Sequence, residues 1–122
     1  MKHAIHCETG PEIVIAGEPA AGLRIYRFPD HAEVGNPNRW ALGTHDGYLI
    51  ATFASDVTAH RAASDLTGLT DWTLPIGEIR ALALKHKQTS LRFRQLFWDA
   101  ITTHDGRISQ LGLRPTGEDE AL

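Results

Sequence analysis

The chain has 122 residues, 42 % of them apolar and 22 % charged, with a formal charge of -3. That is the composition of one globular domain, not of a disordered or strongly basic protein, and it offers no global attraction to nucleic acid or anionic lipid. No apolar run exceeds four residues and Cys7 is the single cysteine, so no membrane span, secretory signal, internal disulfide or cysteine-pair metal site is expected, and the cytosol is the expected compartment.

The first half reads as strands. Short apolar segments at 2–7 (KHAIHC) and 12–17 (EIVIAG) flank Gly10-Pro11, a turn signal, and LRIYRF follows at 23–28. Residues 29–38, with two prolines, a glycine and two asparagines, read as a loop.

RWALGTHDGYLIATF at 39–53 reads as a hairpin turning on Asp46-Gly47. A two-residue type I′ turn there sets Thr44 opposite Leu49, Leu42 opposite Ala51 and Trp40 opposite Phe53. Alternation then puts Trp40, Leu42, Leu49, Ala51 and Phe53 on one face, with His45, Tyr48, Ile50 and Thr52 on the other.

Helices fill the second half. Ser55 or Asp56 caps a helix running to Gly68 with Ala59, Ala62, Ala63 and Leu66 inward and His60, Arg61 and Asp65 outward. Pro75 stands in the first turn of a second helix with Ile76, Ile79, Leu82 and Ala83 as its stripe. A third helix starts after Thr89-Ser90 and runs to about Thr103, buries Phe93, Leu96, Phe97 and Ala100, and ends on Gly106 as the left-handed residue. RISQLGL at 107–113 reads as a last strand. The order βββββ-ααα-β makes one α+β domain over 1–116, an antiparallel sheet of five to six strands with the helices mainly on one face. GEDE at 117–120 opens an acidic tail, expected to be disordered, over 117–122.

The tetrapeptide Thr-His-Asp-Gly occurs twice, at 44–47 and 103–106. Flanking residues differ, Asp-Gly suits turns, and adjacent His and Asp side chains point apart, so both copies read first as backbone corners. His104 lies on the helical face of Phe93, Phe97 and Ala100 and reads as a histidine bonded to the last carbonyls of its helix. An enzyme or metal site built from His45, Asp46, His104 and Asp105 is the third reading; it requires the two corners to meet. His3 and His6 face opposite sides of a strand and cannot share an ion.

Arg80, Lys85, Lys87, Arg92 and Arg94 form a basic stretch with no acid among them. As a nucleic-acid interface this is the second reading, weakened because helical projection scatters the charges. The first reading is binding of another protein, without catalysis and without a cofactor. On the third helix Leu91 and Trp98 fall off the apolar face, and Arg94, four residues before Trp98, is placed to lie on its ring. Leu91, Arg94 and Trp98 are therefore the expected contacts.

WALGTHDGYLIATF at 40–53, followed by AHRAASDLTGLTDWT at 59–73, resembles small uncharacterised proteins of actinomycete plasmids and integrative elements. These share a Trp-x-Leu-Gly hairpin, an Ala-rich helix and an Asp-Trp-Thr. The resemblance implies an accessory role in a mobile element and carries no activity with it.

Overall fold

The computed structural model describes residues 1–7, 10–84 and 87–109, with 82–84 and 87–90 described by backbone alone. Six strands and three helices follow in the expected order: β1 (Lys2–Cys7), β2 (Gly10–Gly17), β3 (Leu23–Arg27), β4 (Trp40–Thr44), β5 (Leu49–Phe53), α1 (Asp56–Leu66), α2 (Ile76–Leu84), α3 (Lys87–Thr102) and β6 (Arg107–Ile108). The sheet is antiparallel with strands in sequence order, β1 to β6. Gly10 and Pro11 are already strand residues, paired with Cys7 and His6. The expected tail at 117–122 and the expected strand residues 110–113 lie outside the described residues.

The helices cover one face. Ser55 caps α1 by accepting the Thr58 N–H at 3.2 Å, and the Trp72 indole donates to the Leu66 carbonyl at its far end at 2.8 Å. Ala59, Ala62 and Ala63 are fully buried, and such small side chains let α1 lie close against the strands. With Leu66, Ile79, Phe97 and Ile101 they close over Leu23, Leu42, Ala51 and Phe53 in one core. On the opposite face Ile5, Ala16, Tyr26, Phe28 and Ala41 form a second, smaller core. That face is covered because β1 curls back until the His6 N–H reaches the Gly47 carbonyl at 3.1 Å.

The hairpin departs from a type I′ turn at its tip. Trp40 faces Phe53 and Leu42 faces Ala51, but Gly43 faces Leu49, so Ile50 is an extra residue in β5. The Gly47 N–H bonds the Thr44 carbonyl and only Gly47 is left-handed, at φ 91°: a type I turn closed by a bulge glycine. The bulge brings Ile50 into the helix-side core and sends Leu49 to the other face, the reverse of simple alternation.

Helix α3 is already formed at Lys87, four residues before the expected Leu91, and its buried face is rotated. Phe97, Ala100 and Ile101 are buried as an apolar stripe should be, yet Arg94 joins them at 1 % exposure while Leu96 is left 39 % exposed. Its end differs too. Asp105 takes the left-handed conformation at φ 57°, and the Gly106 N–H bonds the Ile101 carbonyl at 3.0 Å, a Schellman closure with Asp105 where glycine usually sits. Gly106 is needed for space: a Cβ there would lie 2.4 Å from Phe53 and 2.7 Å from Ile101.

Candidate functional site

The expected contact triad does not assemble on the surface. Leu91 and Trp98 are half-buried, but the buried Arg94 offers no guanidinium to a partner. The same burial removes Arg94 from the basic stretch, of which Arg92 is exposed and Arg80 half-buried. Lys85 and the Lys87 side chain lie outside the described residues.

The two Thr-His-Asp-Gly corners engage different parts of the fold. At the first, His45 Nε2 donates to the Leu74 carbonyl at 3.2 Å and the Asp46 carboxylate accepts the Ile76 N–H at 2.9 Å, capping the start of α2. The Thr44 hydroxyl donates to the same carboxylate. Burial pushes the Asp46 carboxyl up, but these donors outweigh it and hold it below the usual aspartate value. At the second corner His104 Nε2 lies 2.7 Å from the Asp65 carboxylate of α1, not on the last carbonyls of its own helix. Among the described residues no three His, Cys, Asp or Glu side chains group closely enough to hold a metal ion.

His3 and His6 point to opposite sides of β1. His6 is exposed, stacks on Tyr48 with ring centroids 4.6 Å apart and donates to the Asp46 carbonyl at 3.1 Å. His3 is 6 % exposed, and its Nε2 has no hydrogen-bond partner. Burial, then the charges of Arg24 and His45, keep its pKa below the ordinary 6.5, with Asp46 opposing.

Two features stand out once the polar corners are accounted for. The first is the outward face of the β1–β2 ribbon, where Lys2, Ala4 and His6 alternate outward opposite Ile15, Ile13 and Pro11. Ile13 is 62 % exposed, Ile15 72 % and the adjoining Met1 55 %. Scattered exposed apolar residues are ordinary, but neighbouring isoleucines on one strand face form a patch. The second is a cleft of about 140 Å³ inside the curl, between β1, β3 and the loop after β3. Ile5, Phe28 and Leu49 floor it, with Cys7 and Tyr26 at its sides and the exposed His6, His31 and Glu33 toward solvent at its mouth.

The loop at that mouth is held from below. The Arg39 guanidinium donates to the carbonyls of Ala32 at 3.1 Å, Asn36 at 3.2 Å and also Pro29, and lies 5.0 Å over the Phe28 ring. Asn36 Nδ2 donates to the Thr52 hydroxyl at 2.8 Å, which ties the loop to β5. Neither the cleft nor the ribbon patch has a local motif. Both arise where segments far apart in sequence meet.

Comparison with family models, curated proteins and solved structures finds no match for this chain.

Proposed function

We propose that the protein is a small non-catalytic binding protein that docks another protein through the outward face of the β1–β2 ribbon. The observation that carries this is the pair Ile13 and Ile15, largely exposed at successive outward positions of a strand whose other face is packed. Fully burying each side chain is worth roughly 1.5–3 kcal/mol relative to exposure, so the patch favours being covered. Among the described residues of the ribbon, Lys2 carries the only side-chain charge on the outward face, which favours a partner surface that is itself largely apolar. The engagement of His45, Asp46 and His104 with backbone and neighbouring helices supports a structural use of those residues. The resemblance of residues 40–73 to small proteins of mobile elements is consistent with an accessory or inhibitory role.

The test is the double substitution Ile13→Lys, Ile15→Lys, compared with wild type for partner capture from the native host at about 0.1 M and 1 M salt. Capture that survives high salt and disappears in the double variant, with an unchanged melting temperature, supports an apolar protein interface. Light scattering on the isolated protein shows whether the captured surface is a second copy of the chain. Capture unaffected by the substitutions sinks the ribbon assignment. A partner that is nucleic acid and is released steeply by salt sinks the protein-binding reading itself.

A further inference from the structure

The cleft beneath the loop after β3 differs from the ribbon patch in shape and chemistry. It is concave, about 140 Å³ in volume, and its floor of Ile5, Phe28 and Leu49 is apolar. A buried apolar cavity of about 150 Å³ takes up benzene, so this space accommodates one six-membered ring. Its position in the mouth of a curled sheet is a common place for small ligands.

Charge at the mouth then limits what the ring can carry. Glu33 stands there, and Glu12 lies just outside with its carboxylate 2.9 Å from His31 Nε2. Among the described lining residues there is no lysine or arginine. Two groups in the wall are shifted mainly by burial, and secondarily by these neighbours. The Cys7 thiol is pushed up by burial and by Glu12, and the Tyr26 hydroxyl is pushed up by burial, Cys7 and Glu33. His6 and His31 also line the cleft, and the Arg39 guanidinium is committed to the loop carbonyls and the Phe28 ring. The exposed Glu33 carboxylate is therefore the fixed charge that a ligand meets at the mouth, and the Cys7 thiol stays protonated instead of acting as a nucleophile.

The mouth is also preformed. Arg39 and Asn36 pin the loop, and Glu33 sits in the left-handed region at φ 44°, a conformation a non-glycine residue adopts only when its surroundings hold it. A loop ordered before binding loses little entropy on binding.

We infer that this cleft binds a single aromatic ring bearing a cationic side arm, the arylalkylamine class, with the ring on Phe28 and Leu49 and the ammonium at Glu33. The experiment is a methyl and amide NMR titration of the full chain with benzylamine, and with benzoate as the anion of similar size. Benzylamine is expected to give saturable shifts at Ile5, Leu49 and Ala32, with a dissociation constant on the order of 1 mM. Benzoate is expected to bind at least roughly tenfold more weakly. Ala32→Trp, which fills the mouth, should abolish the shifts. Glu33→Gln, which keeps an oxygen to accept the Asn36 amide, should erase the preference for the amine. Absence of saturable shifts in the wild type overturns the site. So does survival of the shifts in a folded Ala32→Trp protein. Equal binding of benzoate, or a preference unchanged by Glu33→Gln, overturns the ligand class.

Discussion

The carboxylate of Asp46 accepts the backbone N–H of Ile76, thirty positions on in the chain, at 2.9 Å. A hairpin tip thus supplies the cap that α2 lacks locally, because Pro75 precedes the helix and has no side-chain acceptor to offer. His45 reinforces the junction through the Leu74 carbonyl. The residues that look most like catalysis in the sequence hold a hairpin onto a helix.

Asp46→Ala should therefore cost about 1 kcal/mol of stability near neutral pH, the usual value of a lost N-cap, and Asp46→Asn less because its amide oxygen still accepts. The pH dependence has a definite sign. A carboxyl held below its ordinary 3.8 stabilises the fold above that value, and the contribution is lost as pH falls through the folded pKa. Urea unfolding of wild type and Asp46→Ala should differ clearly at pH 6 and converge in strong acid. A difference that persists unchanged into acid would show that the carboxylate charge is irrelevant to the cap.

The turn after α3 predicts an inversion of the usual glycine rule. Asp105 carries the left-handed φ and Gly106 carries the steric demand. Asp105→Gly should be neutral or stabilising by up to about 1 kcal/mol, since it relieves the strain of a side chain in that region. Gly106→Ala should destabilise by roughly 1–3 kcal/mol, because its Cβ would press on Phe53 and Ile101, both fully buried. Thermal melts of the two variants decide the matter. The opposite order would restore Gly106 as the left-handed residue.

Local patterning carried the element order, the cap at Ser55 and the buried alanine face of α1, because each depends on neighbours within one or two turns. Where it failed, a distant contact had intervened. Arg94 is polar, so hydrophobic periodicity passes over it and offers Leu96 to the core in its place. Asp-Gly suits both a type I′ turn and a type I turn with a bulge glycine, and the folded backbone, not the dipeptide, distinguishes them. The run Ile13-Val14-Ile15-Ala16 is apolar on both faces, so alternation within it does not say which face stays open. The fold covers Val14 and Ala16 and leaves the isoleucines open. The cleft needs β1, β3, β5 and a loop at once, and no stretch of sequence announces it.

His3 should make stability fall as the solution is acidified below neutrality. Folding keeps its pKa below 6.5 through burial and the charges of Arg24 and His45, and its Nε2 has no acceptor for a proton. The unfolded chain then binds the extra proton. Stability from this residue is complete above about pH 6.5 and declines as pH falls from there through the folded value. His3→Phe keeps the ring volume and the neighbour Tyr26, 5.8 Å away between ring centroids, while removing the titration. Denaturant midpoints at pH 7.5, 6 and 5 should be flatter for the variant than for wild type. Equal slopes would assign the acid sensitivity to another histidine.

Arg39 should be the residue on which the loop 29–38 depends. Its guanidinium bonds carbonyls spread along that loop and stacks over Phe28, a multidentate role that a lysine ammonium cannot copy. Arg39→Lys and Arg39→Ala should each lose roughly 1.5–3 kcal/mol of local stability, the value of hydrogen bonds to a charged group. Because the loop is tied down at Asn36 as well, the loss should be confined to it and leave β3 and β4 intact. Hydrogen exchange reads this directly: the N–H of Ala32 and of Asn36, which bond the carbonyls of Pro29 and Glu33, should exchange roughly tenfold or more faster in Arg39→Lys. Protection of Ile25 and Leu42 in the neighbouring strands should not change. Exchange rising equally in strands and loop would mean that Arg39 supports the whole domain, and the cleft at the loop's edge would have no independent scaffold.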